Sequence, residues 1–328
     1  VLFVTIAVLL VVAWSRLIRM PGRPHGGPLP PLTEFQRSTA EILRSDVEVL
    51  AARHPNRHVF NPVQYANAAR YIEHRFTDAG LTPIRESFTT GDGRSECLNI
   101  IAEIPGSSRP GEILVIGAHY DSYMGTPGAD DNASGVACLL ALARRLAGVG
   151  PERTIRFIAF ANEEPPHFMT PDMGSHVHAH QMARAGESVH LMISLEMLGY
   201  YRDEPGSQRY PPPLSLFYPD TGNFVAIVGN VASRSHVRRL VRGWREAIPF
   251  PCFGAALPSG IPGIGFSDHW SFWEAGFEGV MITDTSFYRN PHYHTRGDTP
   301  DTLDYERMAR VVDGLELLVR RESLISSR

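Results

Sequence analysis

The stretch EILVIGAHYDSYMGTPGADDNASGVACLLALARRLA, Glu112–Ala147, decides the fold. Its first part, Ile113–Ala118, is a short continuous apolar run of the kind found in strands covered on both faces. The run ends in His119-Tyr120-Asp121. A polar turn, Gly128–Gly135, then opens a predicted helix, Val136–Ala147, with Val136, Leu139, Leu140 and Ala143 on one face. Apolar strand, polar turn and amphipathic helix together make the repeating unit of α/β proteins.

The same alternation extends along the chain. Strands are predicted at Pro83–Thr89, Leu98–Ile104, Thr154–Ala161, His190–Leu195, Phe224–Gly229 and Gly279–Thr283. Helices are predicted at Leu32–His54, at Asn61–Ala79 with Asn61 as N-cap and Pro62 in first position, from Ser233, and over Asp304–Arg320. The expected architecture is a three-layer α/β sandwich whose mostly parallel central sheet is flanked by helices. Residues 32–328 form one domain behind a Pro/Gly-rich linker at 21–31. Tyr200–Pro219, with three consecutive prolines, reads as an irregular insertion near the site.

Composition excludes several classes. With 43% hydrophobic and 20% charged residues the chain folds into a globular body. A net charge of −4 gives no sign of a nucleic-acid partner. Three scattered cysteines, Cys97, Cys138 and Cys252, exclude a disulfide framework and a thiolate zinc knuckle. Val1–Trp14 is apolar except for Thr5, and arginines follow it. Residues 1–20 are therefore expected to be a signal-anchor or transmembrane segment that makes the chain membrane-anchored or exported, with its orientation open.

Ligand-type residues gather where apolar runs end. Thr154–Ala161 leads into Asn162-Glu163-Glu164, His190–Leu195 into Glu196, and Gly279–Thr283 into a loop with His292 and His294. In open α/β sheets ligands bind beyond the carboxyl ends of the strands, so four strands direct acids and imidazoles at one rim. Each piece alone has a plainer reading: a surface His-Asp pair, a helix cap at Asp130-Asp131, an exposed acidic loop. Neighbouring glutamates at the end of a buried run repel each other, however, unless one binds a cation and the other serves as a base. His176, His178 and His180 look like a metal cluster. On a helix only the first and third share a face, and the tract reads as non-ligating.

The pieces together resemble the M28 family of zinc metallopeptidases over residues 60–320: GAHYDS at Gly117–Ser122, GADDNASG at Gly128–Gly135, ANEE at Ala161–Glu164, SLEMLGY at Ser194–Tyr200 and YHTRGDT at Tyr293–Thr299. The resemblance implies the zinc-dependent exopeptidase fold and two zinc ions per chain, with cobalt or manganese as substitutes. It implies that His119 and Glu196 hold one metal and Glu164 and His294 the other. Asp130 would bridge the two, followed by a cis peptide, with Asp131 in support. Asp121 would orient His119, Glu163 would be the general base on a water activated by the metals, and Asp268 would stand behind the final histidine. Glu196 replaces the aspartate of many relatives. The implied activity is that of an exopeptidase on peptides or amino-acid amides, most simply an aminopeptidase. Glutaminyl-cyclase-like or carboxypeptidase chemistry on the same fold stays open, with Arg202, Arg289 and Arg296 near the motifs, as does an inactive membrane-anchored binding ectodomain.

Overall fold

The computed structural model describes residues 17–324. The apolar run Val1–Trp14 lies outside them. Among the described residues no helix is long and apolar enough to cross a membrane.

Eight strands form one mixed sheet: β1 (Ile84–Thr89), β2 (Glu96–Ile104), β3 (Arg109–His119), β4 (Arg153–Phe160), β5 (Ser188–Glu196), β6 (Val225–Gly229), β7 (Cys252–Ala256) and β8 (Gly279–Thr283), in the order β1-β2-β4-β3-β5-β8-β6-β7. β4, β3, β5 and β8 are parallel neighbours, as are β6 and β7. The pairings β1–β2, β2–β4 and β6–β8 are antiparallel. The parallel centre carries the predicted apolar runs.

Strand alternation divides these runs between two layers. In β3, Leu114, Ile116 and Ala118 join the larger core, under α1 (Glu34–Val47), α2 (Pro62–Asp78), α3 (Gly135–Leu146), α5 (Arg234–Ala247) and α7 (Tyr305–Leu324). Ile113 and Val115 face the opposite layer and pack with Ala179 and Met182 of α4 (Gly174–Ala185) and Phe272 of α6 (His269–Glu274). Gly117 sits where a side chain has no room: a Cβ would fall 2.2 Å from the Phe160 ring.

Several predicted ends shift for local reasons. The first helix becomes a wider-wound turn at Glu48–Arg53, and its start is fixed by a Thr33/Gln36 capping box. Neither Asn61 nor Ser233 caps its helix through its side chain. The Ser233 hydroxyl instead accepts from the Gly279 amide at 3.2 Å. β7 was not expected.

Candidate active site

Because β4, β3, β5 and β8 run parallel, their carboxyl ends share one rim. His119 and Glu196 are the last residues of β3 and β5, and Glu163 and Glu164 follow β4. Non-glycine residues on this rim, Asn162, Met197 and His294 among them, adopt the left-handed backbone region (φ 57°, 45° and 56°). Such conformations cost about 1–3 kcal/mol each and persist where surrounding structure holds them.

Two groups of potential ligands meet there. One is His119, Asp131 and Glu196; the other is Asp131, Glu164 and His294. His119 Nε2 lies 3.4 Å from both Asp131 Oδ1 and Glu196 Oε2. His294 Nε2 lies 3.2 Å from both Asp131 Oδ2 and Glu164 Oε2. Asp131 thus offers one oxygen to each group.

The expectation for Asp130 is corrected here. Its side chain turns away from both groups. Oδ1 accepts from the Gly199 amide at 2.9 Å and Oδ2 from Asn290 Nδ2 at 2.7 Å. Burial, then neighbouring Asp284, pushes its carboxyl well above the usual range. Asp131, read as a supporting residue, occupies the shared position, and the cis peptide follows it, at Asp131–Asn132. The turn is set from afar. Asp298 accepts from the amides of Asp130 (2.8 Å) and Asp131 (3.1 Å). Arg57, fully buried, donates to the carbonyls of Leu50, Tyr120, Pro127 and Gly128 at 2.7–2.8 Å.

Other partners hold the ligands in place. Asp121 Oδ1 is 3.4 Å from His119 Nδ1, and its two oxygens accept from the amides of Glu163 and Glu164 at 3.1 and 3.0 Å. Asp121 therefore ties the end of β3 to the loop after β4. The Ser267 hydroxyl donates to Glu196 Oε2 at 2.6 Å and pairs with Ser194 Oγ at 2.8 Å. Asn132 bridges the same region, donating to Leu195 O and accepting from the Met197 amide at 3.0 Å. Tyr123 and Tyr293 stack on His294 at 4.0 and 3.7 Å. Asp268, expected behind His294, has His119 and Glu196 as its charged neighbours; burial lifts its carboxyl to about 7. His178 pairs with Glu86 at 2.9 Å, away from the ligand groups, while His176 and His180 share a face with rings 4.0 Å apart.

Burial and opposed charges set the electrostatics of the rim. Burial raises the carboxyls of Glu163, Glu196 and Glu164, the last to about 8. Despite burial, the carboxylates draw the imidazoles upward, His119 through Glu163 and Glu196, and His294 to about 9 through Asp131 and Glu164. Both ring nitrogens of His119 and Glu164 Oε1 are buried without a hydrogen bond. Asp131, Glu163, Glu164 and Glu196 are all buried acids, and a divalent cation held among them would offset the cost of burying their charge. Nitrogen and oxygen donors without thiolate suit zinc. The residues therefore fit the metal that the resemblance implies.

The groups open onto a cavity of about 250 Å³. Its walls are apolar and aromatic: Phe224, Ala226 and Val228 from β6 and its approach, Phe253 and Ala255 from β7, Met281 from β8, and Leu257, Ile264 and Phe266 beyond β7. The insertion contributes Gln208, Tyr210, Leu214 and Tyr218. No lysine or arginine lines it among the described residues. Arg202 lies over the Tyr200 ring at 4.2 Å, and buried Arg289 donates to Gln208 and to Tyr200 O.

Sequence reading assigned no role to Arg57, Ser267, Asn290 or Asp298. Asp298 lies inside the quoted YHTRGDT motif, which was its one available signal.

The model of peptidase family M28 matches residues 99–319. The Escherichia coli (strain K12) protein YfbL is 40% identical over 293 residues, covering 87% of this chain and 88% of its own. The Bacillus subtilis (strain 168) aminopeptidase YwaD is 28% identical over 64% of this chain and 41% of its own. Among solved structures, a zinc aminopeptidase from Bacillus subtilis superposes with a TM-score of 0.67 at 16% identity, covering 85% of this chain and 94% of that one. A Bacteroides thetaiotaomicron glutaminyl cyclase superposes with a TM-score of 0.64 at 16% identity, over 92% of this chain and 100% of that one. Rim, donor set and family match converge, and the chain belongs to peptidase family M28, the zinc metallopeptidases that hydrolyse peptide bonds.

Proposed function

We propose that the chain is an aminopeptidase that releases N-terminal residues with large apolar side chains. In this reading two zinc ions are held by His119, Asp131 and Glu196 and by Asp131, Glu164 and His294. The observation that carries it is the pair of ligand groups sharing Asp131 at the mouth of an apolar cavity that no lysine or arginine among the described residues lines. A carboxypeptidase needs a cation to clamp the substrate carboxylate. An acidic mouth favours a free ammonium instead.

Bound there, the ions would polarise the scissile carbonyl and acidify the attacking water. Glu163 belongs to neither ligand group, and its Oε2 lies 3.9 Å from His119 Nε2. It takes the proton from the attacking water and hands it to the leaving amine, with its backbone held by Asp121. The substrate side chain enters the apolar cavity, which excludes water from the reacting bond.

The test is a panel of aminoacyl chromogenic amides beside their N-acetylated forms, with the zinc-loaded full chain. Release from free-amine leucyl and phenylalanyl substrates, and not from the acetylated ones, is expected. Glu163→Gln should cost at least about 10²–10⁴-fold in kcat while zinc content stays at two per chain. Near-normal turnover by Glu163→Gln removes the assigned base. One zinc per chain with no amide release points to cyclase chemistry instead.

A further inference from the structure

We propose that the edge of the sheet at β7 is a lipid-contacting face, fitted to an anionic bilayer surface. It consists of residues 214–218, whose Leu214 and Tyr218 line the cavity and which form its cover, on one side and the arginine ridge of α5 on the other.

Residues 17–22 cross this edge. Leu17 and Ile18 pack against the cluster containing Leu214 and Ala255. Met20 is buried beside Gly254 of β7, its Cγ 3.4 Å from where a Cβ would stand. The strap then reaches α5: Arg238 donates to Arg19 O at 2.6 Å, and Arg245 to Pro21 O and Gly22 O at 3.2 Å. Leu17 is joined through Ser15 and Arg16 to the apolar run Val1–Trp14.

The surface flanking the strap has two characters. On the cover segment Leu216 is 78% exposed and Phe217 42%, next to Tyr218, which donates to Gly254 O in β7. On α5, Arg234 and Arg242 lie close enough to Arg238, with Arg19, to draw its guanidinium down after partial burial has done so. The acids nearby are engaged elsewhere, Glu246 with Arg321 and Glu278 with His236. Exposed apolar side chains beside Arg234 and Arg242, which have no ion pair among the described residues, in a strap that the sequence continues into an apolar run, match the interface of a bilayer with acidic headgroups. The cover of the substrate cavity would then rest at the lipid surface.

The test uses the full chain in nanodiscs, with a polarity-sensitive fluorophore on Phe217→Cys, or on Leu216→Cys should the first variant fold poorly. The native cysteines are buried. A control label goes on exposed Ser87→Cys of β1, the opposite edge of the sheet. Brominated lipid in discs containing phosphatidylglycerol should quench the label on the cover and not the control. High salt should reduce that quenching. Each arginine contributes about fivefold to such a contact, so Arg234→Ser with Arg242→Ser should weaken it about 25-fold. The proposal falls if the cover label is unquenched, if neutral phosphatidylcholine discs quench it equally, or if the control is quenched as strongly.

Discussion

Two adjacent carboxylates give opposite outcomes when neutralised. Asp131→Asn removes the one anion that faces both His119 and His294, at 3.4 and 3.2 Å. His119 and His294 hold the Asp131 carboxylate far below its usual range against the opposing effect of burial, so its charge is integral to the arrangement. Losing a supporting partner typically costs 10–100-fold in metal affinity. Losing a shared ligand should cost more than about 100-fold at both positions. Asp130→Asn differs, because burial and Asp284 already favour the protonated acid. An amide there can still accept from the Gly199 amide, and the strained contact is the one with Asn290 Nδ2. One donor left unsatisfied costs about 1–3 kcal/mol of stability. Zinc affinity should therefore change by less than about tenfold. Competitive titration with a fluorescent zinc chelator, beside urea unfolding of each variant, separates the two costs. Two tightly held zincs in Asp131→Asn together with none in Asp130→Asn would refute the placement of Asp131 between the metals.

Three further outcomes follow from single contacts. Ser267→Ala removes the hydroxyl on Glu196 Oε2 and, on the proposed two-zinc reading, should weaken one zinc by about 10–100-fold and leave the one assigned to Glu164 and His294 unchanged, read as a split between two binding steps. Ala255→Phe fills the cavity wall on β7 and should raise KM for phenylalanyl amides well above that for alanyl amides, with kcat for the alanyl substrate preserved. Glu322, bound by His190 at 2.9 Å and Arg239 at 2.7 Å, is held down to about 2 from 4.5 even though burial opposes this. A depressed carboxyl stabilises fully above its unfolded pKa, and that contribution, about 3 kcal/mol, is lost as pH falls from about 4.5 through 2. Urea midpoints of Glu322→Gln should accordingly lie below those of the parent at pH 7 and approach them near pH 2.5; a constant gap would exclude the linkage.

The legible and illegible parts of this site differ in how far their causes act. Ile113–Ala118 announces a doubly covered strand because burial on both faces demands an unbroken apolar run, and its neighbours share that demand. The ends of such strands must lie on one rim, so His119, Asp121, Glu163, Glu164, Glu196, His292 and His294 are legible as one set of acids and imidazoles, while the family resemblance alone selects the ligands among them. β7 was not readable, since Cys252-Phe253-Gly254-Ala255-Ala256 has neither alternation nor branched side chains and gains its place by pairing with β6. The choice between Asp130 and Asp131 is harder still. Both lie in a turn with no helical or strand period, where one residue's difference reverses the direction of a side chain. Gly128 enters that turn left-handed at φ 62°, and Asp131 leaves helical geometry at φ −104°, ψ 88°. The carboxylate that receives both amides belongs to Asp298, 168 and 167 residues away. Arg57 completes the turn by donating to the carbonyls of Pro127 and Gly128, acceptors that every residue type carries. Residue types therefore disclose which donors a metal site contains, whereas the direction each one faces is decided by hydrogen bonds between segments that only the fold brings together.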